Sequence, residues 1–188
     1  MTQSNLLCNA ADSALIVIDI QPTLTAAMPE KDAEQMLANT IVLLQTANAL
    51  QVPVLLTEQY PKGLGETDPT LLDHLPTSAQ KFTKTGFSCL AAGGFPEVLE
   101  KIGKKQMVLV GQETHVCVLQ TAVQLNELGY SVFVAEDSVC SRNQEHRYFA
   151  LERMRQTGIT ITNYESVLFE WIQDSIHPKF KELARLIR

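Results

Sequence analysis

Three residues of this 188-residue chain could together supply a base, a cation and a nucleophile: Asp19, Lys84 and Cys117. Asp19 closes the apolar run SALIVID, Lys84 lies in QKFTKTGFS, and Cys117 follows the run KQMVLVG within GQETHVCVLQTA. A carboxylate can accept a proton, a thiolate can attack an electrophilic carbon, and an ammonium nearby steadies either anion. A helix start and a neighbouring ammonium both favour the thiolate. On this basis Cys117 is expected to ionise below the free-cysteine value of about 8.5. Taken singly, each residue has a plainer role: Asp19 as a turn cap, Lys84 as a solvated lysine, Cys117 as a small buried hydrophobe. The other cysteines serve as controls. Cys8 falls in a terminus expected to fray, Cys89 in a loop, and Cys140 before a turn suggested by Arg142 and Asn143.

The elements that must position these residues follow from the hydrophobic pattern. Short β-branched runs predict strands over 13–19, 53–57, 106–110, 131–135 and 159–162, with QKFTK a short β-like stretch. Three- and four-residue spacing predicts helices over 32–50, 116–128, 144–156 and 176–187. Short strands joined by helices require right-handed crossovers, hence a parallel sheet covered on both faces and a single α/β domain. Ligands of such sheets bind at the carboxyl ends of the strands, where all three reactive residues fall. Residues 58–79 form a long irregular stretch of the kind that is functional or mobile.

Composition narrows the partners. Hydrophobic residues make up 45% and charged residues 19%, a balance that supports a packed core. A formal net charge of -6 argues against nucleic acid and anionic membranes, and every apolar run is too short for a membrane span. Residues 1–13 lack the pattern of a secretory leader, so a cytoplasmic protein with four free thiols is expected. The four histidines are scattered without HxxxH or DxH, which predicts no metal. GLGET lacks a third glycine and no GxxxxGK[ST] is present, which predicts no nucleotide and no cofactor.

VIDIQ, LLTEQYPKGLG, KTGFS, GQETHVCVLQTA and VFVAEDSVCSR together resemble the isochorismatase-like hydrolase superfamily, most of all its isochorismatase domain-containing subgroup. The resemblance implies a Rossmann-like three-layer α/β/α domain over 9–188, with a six-stranded parallel sheet ordered 3-2-1-4-5-6. It implies an Asp-Lys-Cys triad at Asp19, Lys84 and Cys117, where Lys84 rather than Lys81 occupies the K-T-x-F-S motif. It also implies a cis peptide between Gln112 and Glu113, and an oxyanion hole from the backbone amides of Glu113 and Cys117. Gln21, Gln59, Tyr60, Phe87, His115 and Val116 are candidates to line the pocket, His115 equally an outward or interface residue. The implied reaction is hydrolysis of an amide-like C–N bond in a small molecule through a thioester. Vinyl-ether hydrolysis at the same site, or a non-catalytic scaffold, are the alternatives. Isochorismatases proper lack the cysteine, and TEQYPKG stands where metal-binding nicotinamidases carry DxH. Family members assemble, so a homo-oligomer is expected, with Phe169, Trp171, Ile172 and Ile176 at an interface or covering their own sheet.

Overall fold

Every residue of the first strand, β1 (Ser13–Ile18), is buried, as is every residue of β4 (Gln106–Gln112). Uninterrupted burial is what a parallel strand covered on both faces requires. The remaining strands are β2 (Val54–Gln59), β3 (Gln80–Lys84), β5 (Ser131–Cys140) and β6 (Thr160–Thr162). They form one six-stranded parallel sheet in the order β3-β2-β1-β4-β5-β6. The structure is a computed structural model and describes residues 6–187.

Alternation along β1 feeds two cores. Ala14, Ile16 and Ile18 join Phe95 and Leu99 of α2 (Phe95–Ile102), Ala122 and Leu125 of α3 (Leu119–Glu127), and Met154 of α4 (Gln144–Gln156). Leu15 and Val17 face Met36, Leu43 and Leu44 of α1 (Glu30–Leu50), and Val167 and Trp171 of α5 (Tyr164–Ile172). The result is the expected three-layer sandwich. Among the described residues no helix is long and apolar enough to cross a membrane.

Several expectations need correction. The closing helix is α5, not 176–187, where only the single turn Phe180–Leu183 is helical. Asn163 caps α5 by accepting from the Ser166 amide, and four buried residues, Val167, Leu168, Trp171 and Ile172, anchor it; Pro178 interrupts the later segment. Trp171 and Ile172 therefore cover their own chain, and the Trp171 indole donates to Ser13 Oγ at 3.0 Å. Only Phe169 and Ile176 of that expected interface remain exposed. The unpredicted α2 begins at Phe95-Pro96 between Gly94 and Gly103, a start that proline favours. β5 resumes after a register shift, beyond the expected 131–135, and ends at the buried Cys140; the chain bends at Arg142 and Asn143, and Asn143 caps α4. Cys8 is also buried, its amide donating to Glu170 at 2.6 Å. The reading of residues 1–5 as part of a leaderless terminus lies outside the described residues.

Two contacts prepare the active end of the sheet. Gly111 has φ +114°, and a Cβ built there would lie 2.1 Å from the Ile18 carbonyl oxygen, backbone against backbone. The second contact is Glu58, buried on β2. Its carboxylate accepts from the Thr67 amide at 2.8 Å, the Thr67 hydroxyl at 2.7 Å and Lys81 at 3.2 Å, tying the 60–79 excursion to the sheet. Burial pushes the Glu58 carboxyl up, but the bonds from Thr67 and Lys81 outweigh it and hold the group below its ordinary value.

Gly111→Ala should destabilise the protein by roughly 1–3 kcal/mol or more in chemical denaturation, since the strain is both steric and conformational. Unchanged stability would show that β1 and β4 can part at this point. A lowered carboxyl contributes stability that is present above its unfolded value and lost as pH falls through the lowered folded value. Glu58→Gln should therefore cost about 1–3 kcal/mol at neutral pH. The melting-temperature gap to the parent should close on acidification below the ordinary carboxylate range. A gap independent of pH would contradict the charge-assisted tie.

Candidate active site

The carboxyl ends of β1, β2, β3 and β4 converge on one buried cluster. Just past β1 the chain turns at Asp19, whose φ of +53° is unusual for a residue with a side chain. Asp19 Oδ2 lies 2.6 Å from Lys84 Nζ, with both side chains fully buried. Thr57 of β2 donates to the other carboxylate oxygen at 2.8 Å. Lys84 Nζ also reaches Gln59 Oε1 at 2.7 Å, the Phe87 carbonyl at 2.8 Å, and, at the longer distance of 3.6 Å, Cys117 Sγ. Three ammonium protons thus serve Asp19, Gln59 and Phe87 closely, leaving the Gly86 carbonyl at 3.4 Å and the sulfur as weaker partners. Sequence expectation and structure agree that these three residues meet.

They meet differently from the electrostatic expectation. Burial is the main force raising the Cys117 thiol far above its ordinary value, and the nearby Asp19 carboxylate raises it further. Lys84 opposes both and loses. Burial outweighs it, and the ammonium lies closer to Asp19, at 2.6 Å, than to the sulfur, at 3.6 Å. The resting site therefore holds a neutral thiol beside a carboxylate and an ammonium. Cys117 does not open an α-helix either. It sits in a single wide π-type turn, Thr114–Val118, in which the amides of Val116 and Val118 both donate to the Glu113 carbonyl. The peptide bond between Gln112 and Glu113 is cis.

Above the cluster opens a cavity of about 460 Å³ whose wall includes Glu113, Cys117, Gln59, Tyr60, Phe87 and Val116. Two expected pocket residues lie elsewhere. Gln21 is buried and works as a brace, its side chain accepting from the Gln59 amide at 2.8 Å and donating to the Gln59 carbonyl at 3.0 Å. His115 faces away: its Nδ1 is 3.0 Å from Ser141 Oγ and its ring centroid 5.0 Å from that of His146. Within the Thr114–Val118 turn, Val116 and Cys117 face the cavity while His115 points away from it. Leu24, Leu64 and Thr85 complete the wall and were not expected. Leu24 and Leu64 each lie in a short helical turn begun by proline, PTLT and PKGL, the only trace of them in the sequence. Among the described residues no three His, Cys, Asp or Glu side chains gather as a metal-binding group. All four cysteines are free, and of them only Cys117 lines this cavity.

A family model described as the isochorismatase domain matches residues 13–166. The isochorismatase domain-containing protein 2 of Xenopus laevis is 45% identical over 150 residues, or 77% of this chain and 69% of that protein. Against isochorismatase domain-containing protein 1 of Salmo salar, 43% identical, the match covers 78% of this chain but spans about half of the relative, 51%. Among solved structures, the MAR1 ribonuclease from Caenorhabditis elegans superposes with a TM-score of 0.90 at 39% identity, covering 96% of this chain and 92% of that one. The YcaC gene product of Escherichia coli, described as an octameric hydrolase of unknown specificity, gives a TM-score of 0.90 at 26% identity, covering 99% and 91%. With the family's sheet order and a domain match over most of its length, this chain belongs to the isochorismatase family of hydrolases.

Proposed function

We propose that the protein is a cysteine hydrolase that cleaves an amide-like C–N bond of a small molecule through a thioester on Cys117. The observation that carries this reading is a thiol on a cavity wall, beside a buried carboxylate paired with Lys84 at 2.6 Å. The raised thiol gives the carboxylate a task. As the substrate carbonyl approaches, the Cys117 proton passes to Asp19 while the sulfur bonds to carbon. The backbone amides of Glu113 and Cys117, two residues on the cavity wall, receive the developing oxyanion; one such donor is typically worth about 3 kcal/mol. Collapse of the intermediate breaks the C–N bond, and the amine leaves with the proton held by Asp19. Water then gives its proton to Asp19, attacks the thioester and releases the acid, and the thiol is restored. Lys84, 2.6 Å from Asp19, holds the carboxylate in place through these transfers. Four unpaired thiols suit a reducing compartment such as the cytoplasm.

The competing readings have less support. Vinyl-ether hydrolysis does not use a thiol nucleophile. A scaffold gains nothing from a buried ion pair, which an apolar substitute commonly matches in stability. The name of the Caenorhabditis elegans neighbour raises RNA as a substrate, but a net charge of -6 repels a polyanion.

Purified protein should release amine from a panel of small amides and ureides, and leave vinyl ethers and RNA intact. Cys117→Ser should lower that rate at least about 10³-fold while keeping the fold. Asp19→Asn removes the charge that raises the thiol, so turnover should be lost while iodoacetamide alkylation of Cys117 at neutral pH accelerates, up to about tenfold per unit of pKa. Lys84→Met should slow both, and destabilise the protein by about 3–5 kcal/mol because it strands a buried carboxylate. Asp19→Asn alkylating no faster than the parent would remove the carboxylate from the mechanism.

A homo-oligomer belongs to the same reading, supported by the octameric description of the Escherichia coli neighbour and by exposed Tyr148 and Phe149 on α4. Light scattering at micromolar concentration should give a multiple of 20.9 kDa, and a monomeric mass would refute it.

A further inference from the structure

The cavity above Cys117 is almost without charge. Among the described residues that line it there is no Lys, Arg or His, and the only ionisable acid is Glu113. That carboxylate is engaged with Arg142, accepting from its amide at 3.0 Å and lying 3.5 Å from its guanidinium. The nearest cation behind the wall, Lys84, is fully buried and neutralised by Asp19. A carboxylate or phosphate group entering this space would lose water and meet no unpaired cation among these lining residues.

The mouth tells the same story from the apolar side. Tyr60 and Phe87 line the cavity yet are 52% and 53% exposed, and Leu24, Leu64 and Val116 extend their surface. Tyr60 is not a loose surface side chain. Its backbone is left-handed, with φ 38°, and its amide donates to the Lys84 carbonyl at 2.8 Å. Its ring covers Gly63 so closely that a Cβ there would lie 2.4 Å from Cε1. Ordered, half-exposed aromatic surface beside a nucleophile gains most from a ligand that buries it.

Building on the cysteine-hydrolase reading, we infer that the substrate is an uncharged amide carrying an apolar group, with its carbonyl at Cys117 and that group against Tyr60 and Phe87. A wall without Lys, Arg or His among the described residues disfavours anions, and the aromatic mouth favours apolar neutrals.

Three primary amides separate these terms: butanamide, succinamate as its charged counterpart, and 3-phenylpropanamide. Ammonia release by the parent should rank 3-phenylpropanamide above butanamide, and butanamide above succinamate by at least about tenfold in kcat/KM. Leu24→Lys, or Leu64→Lys if the first does not fold, should shrink the butanamide-to-succinamate ratio. Phe87→Ala should shrink the 3-phenylpropanamide-to-butanamide ratio. Succinamate used as well as butanamide by the parent overturns the inference and leaves hydrolysis standing. So do ratios that none of these variants moves. If no amide is turned over, protection of Cys117 from iodoacetamide by each compound decides the matter. Protection by 3-phenylpropanamide but not succinamate upholds the uncharged apolar site while counting against hydrolysis; protection by succinamate, or by none, overturns it.

Discussion

A carboxylate and an ammonium buried together are the constraint around which the site is built. Asp19 and Lys84 lie 2.6 Å apart with neither side chain exposed, and leaving either alone would strand a charge in a poorly polarisable interior. Each is therefore hydrogen-bonded on its remaining sides, Asp19 by Thr57 and Lys84 by Gln59 and the Phe87 carbonyl. The pair belongs to the first and third strands, and the order β3-β2-β1 sets β2 between them. That placement is why Thr57 and Gln59, both on β2, can serve both partners.

The same pairing governs the thiol. A lysine free to act on Cys117 would lower it toward the thiolate; this lysine has already been claimed by Asp19, and burial plus the carboxylate keep the thiol protonated. In the proposed reaction the thiol and the carboxylate are the two ends of one proton transfer.

The mouth is held by a separate set of buried polar contacts. Gln21 braces Gln59, and Glu58 gathers Thr67 and Lys81, so the excursion after β2 is tethered on both sides of Tyr60. A long loop is entropically costly to order, and here a few charge-assisted bonds offset that cost while its apolar residues turn to the cavity. Family membership and fold do not specify a ligand; residues of this loop and of the Thr114–Val118 turn line the cavity.

The hydrophobic alternation and the turn residues of the sequence were sufficient for the class of fold, the central strands and the helices α1 and α4, because those signals are local. The motif resemblance added the sheet order and joined three reactive residues, already suggested by type and position, into one triad. Other features depended on what the chain packs against. VLFEWI becomes the closing helix because Trp171 and Ile172 find a core, and β5 continues through polar residues because Gly111 and Gln112 offer it a partner. His115 stands two residues from Cys117 yet faces Ser141, and Leu24 and Leu64 reach the cavity from loops with no periodicity to announce them. Least visible was the state of the thiol. Residue types named a cysteine, a lysine and an aspartate, but a difference of 1.0 Å in what the ammonium touches decided which anion it stabilises, and only the tertiary fold sets that distance.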